Sequence, residues 1–544
     1  MAQVKKINKY TIPRTYNEAI RTPQAEEWKE AVLKEFNLMH RKHVYTLVNK
    51  SKVAKNKIVQ SKWLFSVELD SETGQEIFMA RIVAKGNTQK KGINYIETYA
   101  PTATYENVRL VLSLSAMKNW DILQVEATDA FLNSKPEYDI YMEAPDATTR
   151  DSNLVWKLNR TVYGLKQSAR VWYFTVRDFL KNNGFKNSDV EPCLFWKKEV
   201  MLILYADEFL ICGKNKSIKE TLQLLENNFE MKVLGYPKNF IGITIRKTDK
   251  GIGLSSKDQI DRIETEFDFS YNEKKVNTPL VKGFEKKEDN SPPLNKKEHS
   301  IYRSLIGKLL FLANSVRVDI AFAVSYLSRF LENPTTYRMK GAKRLLQYVV
   351  QTRNFKLHYH NKIPIKIDCE EFVFIDERGD EYVKPYPKVG EFDLVCLTSS
   401  NWVGDISDKK SQFGHMILIN GNIINWQSKR QRHRGSSSEC EYIVLADGLT
   451  DALGYRAVSK ELSLNVSFIN MLVEHQSALA LYGPGSQNKR VKDIDVKYHF
   501  VIDYVDQEKA AKLNHIYSEE NIAYLLTKTL IEPTHIEWSK LINN

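Results

Sequence analysis

The stretch Leu204-Tyr205-Ala206-Asp207-Glu208 constrains this chain more than any other. It lies between two apolar runs, Val200-Met201-Leu202-Ile203 and Phe209-Leu210-Ile211-Cys212-Gly213. Two short apolar runs joined in this way predict a hairpin of buried strands with the acids at its tip. Adjacent carboxylates beside buried strands need a partner for their charge, and a divalent metal is the usual one. The stretch therefore predicts both a piece of sheet and a place for a cation.

A chain of 544 residues can hold two to four domains with well-filled cores. No apolar run approaches the ~18 residues needed to cross a bilayer, so no membrane partner is expected. Nothing apolar follows Met1-Ala2-Gln3-Val4-Lys5-Lys6, which excludes a secretory signal and points to an intracellular, cytoplasmic or nuclear, protein. Cys193, Cys212, Cys369, Cys396 and Cys440 are odd in number and scattered, the pattern of reduced core thiols. His40 and His43 have no CxxC near them and read as a solvated helix face rather than a zinc site. Lys and Arg exceed Asp and Glu by 79 − 67 = 12, which suits a polyanionic partner bound in a salt-dependent way.

Apolar positions at helical spacing predict a first amphipathic helix within 16–48, on Trp28, Ala31, Val32, Phe36 and Leu38. Strands are expected over 57–69, 77–85 and 121–128, and helices over 106–118, 167–183 and 217–229. Residues 270–298 are polar and basic and read as a linker loop. Helices are expected over 300–314, 319–331 and 336–352, then an acidic insertion at 368–380 and a second alternation of strands and helices over 391–530. The class is α+β.

A series of blocks runs in order along this frame. It comprises Lys62-Trp63-Leu64-Phe65, Ala80-Arg81-Ile82-Val83-Ala84-Lys85-Gly86, Thr98-Tyr99-Ala100-Pro101 and Thr128-Asp129-Ala130-Phe131-Leu132-Asn133. Ile140-Tyr141-Met142, Val162-Tyr163-Gly164-Leu165-Lys166-Gln167, Trp172-Tyr173, Tyr205-Ala206-Asp207-Glu208, Asn277-Thr278-Pro279-Leu280 and Tyr302-Arg303-Ser304-Leu305-Ile306-Gly307 follow. Together they resemble the polymerase region of the Pol polyprotein of copia-type LTR retrotransposons, and the resemblance covers nearly the whole chain. It implies reverse-transcriptase fingers, palm and thumb followed by an RNase H-like α/β domain. The implied boundaries are an N-terminal tail at 1–15, fingers and palm over 16–268, a basic linker over 269–299, a helical thumb or connection over 300–390, the RNase H-like domain over 391–530, and a tail at 531–544.

The resemblance also implies roles. Glu126, Asp207 and Glu208 stand where the family has the three carboxylates that hold Mg²⁺, or Mn²⁺ in its place. The family has Asp at the first and third of these positions, so Glu126 and Glu208 are each one methylene too long. Arg81 would hold the triphosphate of a dNTP, Asp129, Phe131 and Gln167 would line the nucleotide, and the bulk of Phe131 would exclude a 2′-hydroxyl. Met79 stands where the family usually has Lys. Taken alone, Glu126 reads equally well as a solvent-facing strand residue, and Arg81 and Lys85 as surface charges.

Trp402-Val403-Gly404-Asp405, Trp426-Gln427-Ser428-Lys429-Arg430-Gln431 and Ser437-Ser438-Glu439-Cys440-Glu441-Tyr442 resemble blocks of the family's RNase H domain. Four metal positions fall at Ser399, Glu441, Glu474 and Tyr524, with Asn401 replacing a neighbouring Asp. Two of the four lack a carboxylate, and Asp393 is too far along the strand to substitute for Ser399. RNase H cleavage is expected to be absent. The partners implied are an RNA template, a DNA primer, their RNA–DNA hybrid and dNTPs, with Lys62, Lys166 and Arg170 near the cleft. Two functions compete: a catalytically impaired reverse transcriptase, and a degenerate or recruited nucleic-acid-binding protein without enzymatic activity. The sequence is silent on oligomeric state.

Overall fold

The computed structural model describes residues 10–69, 74–148, 151, 153–267, 269, 274–361, 370–371, 374–375, 381–382, 392–401, 410–431, 437–475 and 495–543. They fall into two compact units, 1–103 with 123–235 and 104–122 with 236–544. Helices alternate irregularly with largely antiparallel sheets, the α+β arrangement that the sequence predicts.

The first unit opens with two helices, Tyr16–Ala19 and Ala25–Arg41, where one was expected. Pro23 stands between them and disfavours helical geometry at Thr22, which explains the break. Trp28 and Ala31 of the longer helix pack on Trp63, Phe65, Val67 and Ile82 of the two-stranded sheet Ser61–Leu69 and Glu76–Ala84. Trp28 meets Phe65 edge-on at 5.2 Å between ring centroids. Burying each such large apolar side chain contributes about 1.5–3 kcal/mol. The unit's largest sheet has six strands in the order Met231–Gly235, Asp121–Ala127, Glu208–Gly213, Val200–Tyr205, Leu194–Lys197 and Lys186–Asn187. Its two central strands are buried along almost their whole length, which is why they read as unbroken apolar runs rather than alternating ones.

The second unit includes the helix Tyr105–Met117, ten of whose thirteen residues are buried. Such a helix must be enclosed on all sides. Arg109, 1% exposed, donates to the carbonyls of Asn314 and Ser315 at 2.6 and 2.8 Å, and to Ile424 at 2.8 Å. Its guanidinium lies 3.9 Å from the Trp426 ring, and Trp426 Nε1 donates to Ala313. The last carbonyls of the helix Lys296–Ser315 are thus satisfied by a cation and an indole. Its other end carries a capping box between Asn295 and Glu298. This helix, Ala321–Ser328 and Thr336–Gln351 bury a common core, into which Val276, Leu280 and Phe284 also insert.

A six-stranded mixed sheet completes the second unit. Leu394–Asn401 pairs antiparallel with Gln412–Ile419, which pairs with Asn422–Arg430. On its other side Leu394–Asn401 pairs parallel with Ile469–Val473, which pairs parallel with Ala511–His515. The 25-residue helix Ser437–Glu461 packs on this sheet. Cys193, Cys212, Cys396 and Cys440 are buried and in no disulfide, as expected; Cys369, the block 402–405 and most of the acidic stretch 368–380 lie outside the described residues. Among the described residues no helix is long and apolar enough to cross a membrane.

Candidate active site

The hairpin expected around Asp207 is present. Its strands pair from Val200↔Gly213 to Tyr205↔Glu208, so Ala206 and Asp207 alone make the turn. Ala206 has φ +53°, a left-handed conformation that costs a non-glycine residue roughly 1–2 kcal/mol. Trp172, buried on the helix Ser168–Asn182, donates its indole N–H to the Ala206 carbonyl at 2.7 Å and holds the turn in place.

The strand Asp121–Ala127 flanks the hairpin, and the Ala127 N–H donates to the Asp207 carbonyl at 2.8 Å. Glu126 therefore stands beside the tip. Burial first, and then the charge of Asp207, hold the Glu126 carboxyl above the ordinary carboxylate range; Glu208 adds to this and the cross-strand Lys232 opposes it. The pleat places Gln124 on the same face as Glu126. Gln124 Nε2 donates to Glu208 Oε2 at 3.0 Å, and Glu208 is only 5% exposed.

All-oxygen donors suit Mg²⁺ or Mn²⁺, and the strain between Glu126 and Asp207 is what a divalent cation would relieve. Those two side chains fit such an ion. Glu208 is committed to Gln124, and among the described residues no group of three or more His, Cys, Asp or Glu side chains is arranged to hold a metal.

Arg81, on the strand Glu76–Ala84, lies with its guanidinium 4.3 Å from the Tyr163 ring and 3.8 Å from Asp129. Phe131 meets the same ring edge-on at 4.8 Å. Asp129 adopts φ +50°, tolerable for a short polar side chain, and thereby turns the chain into the short 3₁₀ helix Ala130–Asn133. Tyr163 reaches this place because Gly164, at φ +87°, lets the chain press on the strand end; a Cβ there would lie 2.1 Å from the Ala84 carbonyl oxygen. Beneath them Glu35 accepts the Ile82 N–H at 2.9 Å, and burial raises its carboxyl to about 7.

The structure thus gathers Arg81, Asp129 and Phe131 around one aromatic ring. Gln167 is not among them: 1% exposed, it accepts from Gln89 at 3.0 Å and donates to the Asn94 carbonyl at 3.0 Å. Met79 is half-buried on the same strand as Arg81. Sequence reasoning passed over Tyr163, Gln124, Trp172 and Glu35. Gln124 carried a signal, since period 2 puts it on the face of Glu126; Tyr163 and Trp172 lie inside the family-like blocks; Glu35 had none.

In the second unit, Glu441 is 1% exposed and its Oε1 accepts from Ser400 N at 3.0 Å and Ser400 Oγ at 2.7 Å. Its Oε2 is buried without a hydrogen-bond partner among the described residues, and burial raises the carboxyl to about 7. Ser399 Oγ lies 3.2 Å from Thr527 Oγ1. Tyr524 donates to Ser518 Oγ at 3.3 Å, and Ser518 donates to Glu474. Asp393 precedes the far end of the Ser399 strand and accepts from Asn470 at 2.6 Å.

Residues 42–282 match the family described as reverse transcriptase (RNA-dependent DNA polymerase). The chain is 30% identical over 95% of its length to the retrovirus-related Pol polyprotein from transposon TNT 1-94 of Nicotiana tabacum, and 29% identical over 95% to that from transposon RE1 of Arabidopsis thaliana. Residues 42–282 thus carry a reverse transcriptase domain, and the chain is similar along nearly its whole length to Pol polyproteins of transposons. It spans 38% and 34% of the lengths of those two relatives. A foamy viral protease-reverse transcriptase solved in complex with double-stranded DNA aligns over 95% of this chain and 72% of that one, at 12% identity and a TM-score of 0.46.

Proposed function

We propose that this reverse transcriptase domain is an RNA-directed DNA polymerase that extends a DNA primer on an RNA template from dNTPs, with catalysis severely impaired. The observation that supports it is the hairpin that brings Asp207 beside Glu126. Glu126 and Asp207 would hold the divalent cation, which when bound promotes attack by the primer hydroxyl and stabilises the departing pyrophosphate. Arg81 brings a guanidinium to the triphosphate, held at its angle by the Tyr163 ring and Asp129. Phe131, braced by the same ring, limits space at the sugar.

The impairment follows from the longer acids. Mg²⁺ demands near-octahedral oxygens at about 2.0–2.1 Å, and a misplacement of about 1 Å can cost on the order of 10²-fold in rate. The extra methylene of Glu208 carries its carboxylate into the Gln124 hydrogen bond, away from an open site. Over residues 391–530 we read an RNase H-like domain without cleavage.

Primer extension on an RNA template with Mg²⁺ and with Mn²⁺ tests this reading. Weak extension that Asp207→Asn abolishes is expected. Extension at an ordinary rate would remove the geometric argument. None at all, with hybrid binding retained, would establish the non-enzymatic nucleic-acid-binding alternative.

A further inference from the structure

Gln167 stands at the N-cap of the helix Ser168–Asn182, yet its side chain caps nothing there. It turns instead to Gln89 and to the Asn94 carbonyl, and all three residues are buried. The Oε1 of Gln89 accepts the Lys166 N–H at 2.7 Å. Asn94 closes a turn: its Oδ1 accepts the Lys90 N–H at 2.9 Å, and its own N–H donates to the Lys90 carbonyl at 2.9 Å. Gly92, at φ +80°, lets the chain double back between them. The Nδ2 of Asn94 donates to the Lys57 carbonyl at 3.1 Å. Three buried side-chain amides thus tie together the backbone at Lys57, at Lys90 and at Lys166. A buried cluster of this kind holds firmly while every member is satisfied, and loosens when one is removed.

The joined segments share a charge. Residues 49–67, 81–96 and 152–177 contain no Asp or Glu. Lys57, Lys90, Lys91 and Lys166 are all exposed, and Lys166 Nζ donates to the Tyr95 hydroxyl at 3.2 Å across the turn. Glu97, the first acid beyond the turn, has Arg170 and Lys91 as charged neighbours and accepts the Thr98 and Tyr99 N–H groups at 2.7 and 2.9 Å. It offsets one of these charges and leaves the rest. We infer that Gln167 is a positioning residue for nucleic acid: through Gln89 and Asn94 it fixes the turn Lys90–Tyr95, so that Lys90 and Lys91 meet the phosphate backbone of the hybrid. It does not touch the nucleotide, because reaching one would break both of its hydrogen bonds. Backbone order that is in place before binding is entropy the complex does not lose. The inference rests on reading the first unit as a polymerase that binds a primer–template hybrid.

Two affinities of the full chain test it, measured by fluorescence anisotropy on a dideoxy-terminated DNA primer annealed to an RNA template in Mg²⁺. One is the Kd for the hybrid; the other is the concentration of the next complementary dNTP that half-protects the complex from heparin. Gln167→Leu should raise the hybrid Kd roughly tenfold at about 0.1 M salt, and flatten its salt slope by about 2, with the dNTP value unchanged. Gln89→Leu should match it, and the double variant should be no weaker than either, because both act through one cluster. Lys90→Ala with Lys91→Ala should give the same loss, and adding Gln167→Leu to that pair should cost little more. A merely structural Gln167 would add its own loss to that of the lysines, and such additivity would overturn the inference. So would a dNTP value raised by Gln167→Leu but not by Gln89→Leu. If Gln167→Leu does not fold, Asn94→Ala unties the turn without touching Gln167; a similar rise in Kd supports the inference and an unchanged Kd overturns it. A parent chain that binds no hybrid would remove the polymerase reading and this inference with it. A parent that binds, with variants that behave additively, removes the inference alone.

Discussion

Two acids of identical charge have different fates in this protein because of what stands beside them. Glu126 keeps its carboxylate near Asp207, whereas Glu208 spends one oxygen on Gln124. Reverting the lengths should separate the effects. Glu126→Asp with Glu208→Asp is expected to raise primer extension more than either change alone, measured as kcat/KM on an RNA template. Gln124→Leu removes that donor from Glu208 and is expected to lower stability by about 1–3 kcal/mol, measured by denaturant unfolding. If the double reversion does nothing, Met79 in place of a cation becomes the dominant loss. Protons provide a second test at this scale. The Glu441 carboxyl is raised to about 7 in the folded state from an ordinary 4.5, so the folded chain binds more protons than the unfolded one between those values. Its stabilising contribution is complete below about pH 4.5 and is lost as pH rises toward about 7. Glu35, raised to the same value, acts in the same direction. Exchange protection in the helix Ser437–Glu461 should fall across that window, and Glu441→Gln should flatten the fall.

Individual elements are fixed by a few contacts that concern backbone more than side chains. The Asp207 hairpin turns through a left-handed Ala206, and Ala206→Gly should relieve about 1 kcal/mol of strain while leaving the Trp172 hydrogen bond intact. A rise in thermal midpoint with unchanged primer extension is expected; a fall would show that Ala206 is unstrained. The helix Lys296–Ser315 ends on Arg109 and Trp426, which together cover three successive carbonyls, Ala313 to Ser315. Arg109→Met keeps the apolar stem and removes the donors to Asn314, Ser315 and Ile424, leaving Trp426 on Ala313. A loss of about 3–5 kcal/mol is expected in denaturant unfolding, because buried carbonyls are left without partners.

At the scale of the whole molecule, charge speaks first. The excess of 12 positive side chains predicts binding to a primer–template hybrid that weakens steeply with salt, through release of counterions. Replacing Lys62, Lys166 or Arg170 by Ala should each lower the slope of log affinity against log salt by about 1 if that residue meets a phosphate. An unchanged slope for all three would place the interface elsewhere. The chain's own order of residues determined more than this surplus. Apolar runs of five or six residues specified the buried hairpin, because a strand covered on both faces has no polar alternation to keep. The same local logic placed the helices near 105–117, 168–182 and 336–351 and kept the four described cysteines in the core. Partnership was beyond it. That Tyr163 rather than Gln167 meets Arg81, that Gln124 takes up the added length of Glu208, and that Gln89 pairs with Gln167 depend on contacts across 78 to 84 positions. Periodicity tells a side chain which face it occupies. Only the packed structure, by bringing distant faces together and removing water between them, decides which charge or ring it meets there.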